Sequence, residues 1–372
     1  MTRCQKIQEL GRCPSIGWFG EAVHANRLIG EDVKAIVFEE TGSSAVLKLQ
    51  DKPLTDPGAG EVRVRVVVSG VNPTDWKSRA GGGSTKLDAP KVPNQDGAGV
   101  IDGIGSGVTG LSIGDRVWLW DVAWGGNEGT AQEYAVVPAA KAVALPGAES
   151  FDTGASIGIP ALTAHRALTS NEDGPARLSP GALAGRTVVV TGGAGAVGHA
   201  AIQLAGWAGA TVITTVSGDR KAELARLAGA HTVINYRTDD VVAAVRRAAP
   251  GGVDTIIDVN APANIDDVRV VKPSGTIAIY AANPGESMTV PVRESMTKNV
   301  RYQFILTYTV TDEQKQQAVA AVSEALKAGA LRVGEEHGLP LTRFPLEATA
   351  EAHDAVEQGT IGKVLIDVAP SS

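Results

Sequence analysis

Residues 187–198 read Thr-Val-Val-Val-Thr-Gly-Gly-Ala-Gly-Ala-Val-Gly, a β-branched run that breaks into glycines. Small, helix-compatible residues follow, and a second β-branched run occupies 211–216. Strand, glycine turn, helix and strand in that order make a dinucleotide-binding βαβ unit. Gly193, Gly195 and Gly198 carry the GxGxxG spacing. Its three jobs are a tight turn, close backbone approach to a pyrophosphate, and close packing of helix on strand. Ala196 and Val197 lie between the last two glycines, where the helix N-terminus faces the phosphates.

No Asp, Glu, Lys or Arg occurs between Thr187 and Gly218, so a membrane span is the rival reading of the same residues. Glycines at turn positions argue against it. Uncharged strands are also what a parallel sheet covered on both faces by helices requires.

A chain of 372 residues should hold two domains, each with its own core. The net charge of -7 offers no basic footprint, so neither nucleic acid as a main partner nor a membrane surface is expected. Cys4 and Cys13 are the only cysteines, which excludes a disulfide framework or Cys-rich metal site in the body of the protein and suits the cytoplasm. Residues 1–32 have no clear period, no sustained apolar stretch and no cleavage site, so a secretory signal is not expected. They are read as a poorly ordered extension that is dispensable or not native, with regular structure starting at Val33.

Strand-like runs at 35–37, 61–68, 99–104 and 116–119, separated by Pro, Gly and Asp turns, make the first region mainly β. From 156 onward strands (187–190, 211–216, 232–234, 255–259, 276–280) alternate with helices (198–208, 220–228, 239–248). That is a doubly wound α/β domain. An amphipathic helix after Thr311 places Ala318, Val319, Val322 and Leu326 on one face. A helix near 349–358 and a strand at 364–368 are too little for a third domain, so they should fold back onto the β region. The division is 33–160 with 331–372, and 161–330.

Four stretches now read together: 70–76 (Gly-Val-Asn-Pro-Thr-Asp-Trp), 114–118 (Gly-Asp-Arg-Val-Trp), 154–168, which contains Ile-Gly-Ile-Pro-Ala-Leu-Thr-Ala, and the glycine turn at 192–198. Together they resemble the medium-chain dehydrogenase/reductase superfamily, and within it the zinc-independent quinone oxidoreductases of the zeta-crystallin type. The resemblance covers about 33–369 and implies a mainly β, GroES-like catalytic domain beside a Rossmann domain. Zinc-dependent members carry a Gly-His-Glu ligand motif where residues 93–99 here read Pro-Asn-Gln-Asp-Gly-Ala-Gly, and the six histidines are scattered singly, so no metal is expected.

An NAD-preferring turn usually places an Asp or Glu at the end of the second strand, whereas Ser217 and Gly218 stand there. Asp219 is the dissenting residue, followed at once by Arg220 and Lys221. In quinone reductases a similar Ser-Gly-x-x-Lys-Ala pattern accommodates the 2′-phosphate of NADPH, with Tyr236 and Arg237 in the second half of the pocket. NADPH is therefore the expected cofactor. By the same resemblance Asn260, Ala281, Thr307 and Lys363 approach its nicotinamide half.

The resemblance puts Asn72, Asp75, Trp76 and Lys77 on the loop that faces nicotinamide and substrate, with Asn72, Asp75 and Lys77 as catalytic candidates. Trp76, Trp118, Trp120 and Trp124 offer faces on which a flat quinone would stack, core packing being the alternative. Tyr134 is either an oxygen-contacting group or a strand residue. The implied reaction is hydride transfer from NADPH to a quinone. Two alternatives are an alkenal or enone reductase and a non-catalytic NADPH-binding protein. Residues 301–308 look like a last strand that pairs across a two-fold axis in relatives, which implies a homodimer or homotetramer.

Overall fold

The computed structural model describes residues 32–369, so the expectations for 1–31 lie outside the described residues. The first lobe runs β1 (Asp32–Glu40), β2 (Lys48–Pro53), β3 (Glu61–Val71), α1 (Pro73–Ala80), β4 (Lys86–Lys91), β5 (Asp96–Ile104), β6 (Arg116–Leu119), β7 (Tyr134–Pro138), β8 (Ala142–Ala144) and α2 (Phe151–Leu168). In β3, Val62, Val64 and Val66 are buried while Glu61, Arg63 and Arg65 face outward, a period of two that gives the sheet one dry side. From Val66 to Val71 every residue is buried, because α2 covers the second face.

The second lobe continues with β9 (Thr187–Thr191), α3 (Ala196–Trp207), β10 (Thr211–Val216), α4 (Asp219–Leu227), β11 (Thr232–Asn235), α5 (Val241–Ala248), β12 (Val253–Asp258), β13 (Val271–Ile279), α6 (Val292–Lys298), β14 (Arg301–Phe304) and α7 (Asp312–Lys327). Its six strands are parallel, in the order β11-β10-β9-β12-β13-β14. Val188 and Val190 pack with Leu162, Leu204 and Val322 on one face, while Val189 packs with Val245 and Ile256 on the other. Both faces are covered, which explains the uncharged strands. Among the described residues no helix is long and apolar enough to cross a membrane.

The chain then returns through β15 (Leu341–Pro345), α8 (Thr349–Glu357) and β16 (Lys363–Asp367). β16 pairs antiparallel with β3, Val364 opposite Val71, in the sheet β15-β16-β3-β5-β6-β8. Elements such as β2, α1, β4 and β8 are absent from the sequence reading, and three further elements differ in extent. α2 is one helix running through residue 160, the position at which the sequence was divided. β13 starts at Val271, not 276: Lys-Pro-Ser-Gly reads as a turn, yet it forms an irregularity inside the strand, with Ser274 at φ 63°. The last strand ends at Phe304, and Thr307–Thr309 is a 3₁₀ turn that takes Tyr308 out of the sheet.

Candidate active site

β9 leads across to β10 and its other neighbour β12 leads to β13, so the loops after β9 and β12 part in opposite directions. Ligands of open α/β sheets bind in the crevice this creates at the carboxyl ends of the strands. Here it opens into a cavity of about 770 Å³ between the lobes.

Gly195, Ala196 and Val197 line that cavity. Gly195 precedes α3 without a capping side chain, so the first N–H groups of the helix remain for a ligand. A Cβ built on Gly195 would meet no protein atom closer than 3.5 Å, so it is the cavity that its missing side chain leaves open. Gly193 and Gly198 do not line the cavity. A Cβ on Gly193 would lie 2.1 Å from Thr214 Oγ1, and one on Gly198 2.4 Å from the Gly192 carbonyl oxygen, so these two serve packing.

At one end of the cavity stand Ser217, Lys221 and Tyr236, with no carboxylate among the lining residues. Arg220 turns away into ion pairs with Glu223 and Glu335. Nearer the other lobe, Ala281 and Thr307 line the wall, and Thr307 Oγ1 lies 2.5 Å from Thr163 Oγ1 of α2. Asn260 does not: its exposed side chain lies outside the wall, its N–H donates to Asp258 Oδ1, and Val259 takes the lining position.

Asn72 and Lys77 line the cavity, and Lys77 Nζ donates across it to the Ala282 carbonyl at 3.0 Å. Asp75 lies behind the wall instead. Its Oδ2 accepts from the Asn72 N–H at 2.7 Å, and burial pushes its carboxyl up to about 8. Lys363, expected to reach the cofactor, is fully buried beneath Asn72. Its Nζ donates to Asn72 Oδ1 at 2.6 Å and stands 3.6 Å from Asp96 Oδ2. The same Asp96 oxygen accepts from Asn72 Nδ2 at 2.7 Å, and Oδ1 accepts from the Ile159 N–H at 2.9 Å. Burial pushes the Lys363 ammonium down and the Asp96 carboxyl up, and their mutual attraction opposes both shifts.

The stretch at 93–99 does not fit zinc. Both Asp96 oxygens are occupied, and Gln95 Oε1 accepts from the N–H groups of Ala123 and Trp124. Among the described residues no group of three or more His, Cys, Asp or Glu is placed to hold a metal ion. Of the tryptophans, Trp118 and Trp120 are core residues, whereas Trp124 stacks on Tyr308, a cavity residue. Tyr134 sits in β7 with the Arg63 guanidinium over its ring, away from the cavity. Sequence reasoning missed Tyr308 as a wall residue because it read 301–308 as one strand. It also missed Gly359, Thr360 and Ile361, whose only signal is the Gly-Thr-Ile-Gly turn before β16.

A two-lobed architecture with a glycine turn at the mouth of an interlobe cavity defines a nucleotide-dependent oxidoreductase. Residues 58–147 match the family model for the alcohol dehydrogenase GroES-like domain, and residues 196–324 match that for zinc-binding dehydrogenases. The quinone oxidoreductase of Lama guanicoe is 32% identical over 341 residues, covering 90% of this chain and 97% of the relative. An alcohol dehydrogenase of Geobacillus stearothermophilus is 28% identical, covering 90% of this chain and all of the relative. Among solved structures, the Escherichia coli quinone oxidoreductase complexed with NADPH superposes with a TM-score of 0.73 at 25% identity, over 90% of this chain and 99% of its own. The chain belongs to the quinone oxidoreductase family of the medium-chain dehydrogenases/reductases.

Proposed function

We propose that this protein is a cytoplasmic, zinc-independent reductase that uses NADPH to reduce quinones. The observation that carries the reading is one continuous cavity, with a bare helix N-terminus and Lys221 lining it together with Asn72 and Tyr308. Gly195, Ala196 and Val197 would hold the pyrophosphate; Ser217, Lys221 and Tyr236 the 2′-phosphate; Ala281 and Thr307 the nicotinamide. A lysine supplies a point charge suited to a phosphate, and the carboxylate that would grip a bare ribose is missing there.

Bound cofactor supplies a hydride. The protein's part is orientation, exclusion of water and stabilisation of the oxygen that gains charge. α2 contributes Ile159, Pro160 and Thr163 to an apolar floor, and Lys77 ties the two walls together through Ala282. Self-association through the edge strand β14 belongs to the same reading: Val292, Met296 and Phe304 beside that edge are each more than 60% exposed.

The test is oxidation of NADPH and NADH followed spectroscopically against 1,4-benzoquinone, 9,10-phenanthrenequinone, an enone and a short alkenal, with and without chelator. NADPH-selective, chelator-insensitive turnover of quinones is expected. Preference for the enone or alkenal would replace the substrate class. Cofactor binding without turnover of any acceptor would make the protein a non-catalytic binder. Gly195→Asp places a side chain and a negative charge where the pyrophosphate would lie, so retained NADPH binding in that variant would refute the assigned site.

A further inference from the structure

We infer that Lys363 and Asp96 lock the Asn72 amide so that its N–H edge, not its C=O, serves the cavity, making this point of the site a hydrogen-bond donor to a carbonyl-type oxygen. The inference rests on the reductase reading above and specifies the substrate group that this wall accepts.

Two contacts carry it. Lys363 has no acceptor function, so the Asn72 atom 2.6 Å from its Nζ must be the carbonyl oxygen. Ionised Asp96 accepts only, so the Asn72 atom 2.7 Å from its Oδ2 must be the amide nitrogen. Both assignments agree, and a flipped amide would set nitrogen against ammonium and oxygen against carboxylate. One Nδ2 hydrogen is committed to Asp96, and the second has no acceptor among the described residues although Asn72 lines the cavity. The Ile159 N–H fixes Asp96, and Lys363 Cε passes so close to Gly70 that a Cβ there would lie 3.1 Å from it. Lys363 and Asp96 are thus positioning residues, and Asn72 is the group that touches the substrate. Buried ion pairs are costly to assemble, and their best attested role is to specify one arrangement among several.

The closing experiment uses 9,10-phenanthrenequinone labelled with ¹³C at its carbonyls. It is bound to the protein with oxidised cofactor, so that no transfer occurs, and read by isotope-edited infrared difference spectroscopy. Wild type should show a carbonyl band displaced to lower frequency relative to Asn72→Ala. Lys363→Met leaves a lone buried carboxylate and is prone to unfold, so the decisive variant is the double Lys363→Met/Asp96→Asn, which buries no net charge. That variant should melt as a folded protein, lose the band displacement and lose about tenfold or more in kcat for the quinone, with KM for NADPH within about threefold. A folded double variant with the wild-type band and kcat overturns the inference, as does failure of the labelled quinone to bind wild type. Absence of turnover in wild type with the band displacement present would instead overturn the reductase reading alone.

Discussion

The rings of Trp124 and Tyr308 stack with centroids 4.5 Å apart and planes 14° from parallel, one from the loop after β6 and the other from the 3₁₀ turn after β14. The stack therefore joins the two lobes at the cavity wall. Offset-stacked aromatic pairs add about 0.5–1.5 kcal/mol beyond their buried area. The Tyr308 hydroxyl is enclosed without a hydrogen bond of good geometry, only the Thr74 side chain interacting with it, and burial holds its phenol pKa well above the ordinary value.

Tyr308→Phe keeps the stack and deletes a buried hydroxyl that has only its poorly aligned contact with Thr74, so the melting temperature should stay level or rise by a degree or two. Trp124→Ala removes one ring and should cost about 1 kcal/mol while raising the KM for phenanthrenequinone several-fold. Calorimetry and steady-state kinetics on the two variants separate these effects. A clear drop in stability for Tyr308→Phe would mean that the Thr74 contact is a full hydrogen bond.

Cofactor choice should depend on Lys221 and not on its neighbour. Lys221→Ala is expected to raise KM for NADPH about tenfold, with NADH nearly unaffected, because one charge-assisted contact to phosphate is worth about 1.5–3 kcal/mol. Arg220, held by Glu223 and Glu335, should change KM less than about twofold when replaced by Ala. Equal losses with both cofactors for Lys221→Ala would place the 2′-phosphate elsewhere.

Acid stability should carry the signature of His165. Burial, then Arg166 and Arg177, lower its pKa to about 4, and its Nε2 accepts from the Leu178 N–H. The unfolded chain takes up this proton near pH 6.5, the folded chain only near 4. Between those values the unfolded state binds more protons, so stability falls as pH drops from about 6.5 to 4, by on the order of 2 kcal/mol from this group. Asp75 and Asp96, whose pKa values are raised, act in the opposite direction, so the measurement is a difference. Denaturant midpoints at pH 7.5 and 4.5 should move further in wild type than in His165→Gln; parallel shifts would show that His165 is protonated in the folded protein.

Self-association through the β14 edge predicts that Val292→Glu/Met296→Glu lowers the mass seen by sedimentation equilibrium without unfolding the chain. Both side chains are exposed, so the single-chain fold loses little. A wild-type protein that is monomeric at micromolar concentration would remove this part of the reading.

The periodicity of valines in β3 and the uncharged β9 and β10 determined the two sheets, because a side-chain period reports which faces are dry before any contact is known. Residues 193–198 likewise marked the turn that brings the start of α3 to the cavity, since the glycine spacing is itself a backbone requirement. What the chain alone did not decide is which residues share a wall. Asp75 and Asn72 are three apart, yet one caps α1 from behind while the other lines the cavity. Lys363 lies near the C-terminus and acts beneath Asn72 only because β16 pairs with β3. Local sequence carries propensity and spacing. The direction in which a side chain points into a cavity is set by pairings between distant strands, and those are decided by burial of the whole core in three dimensions.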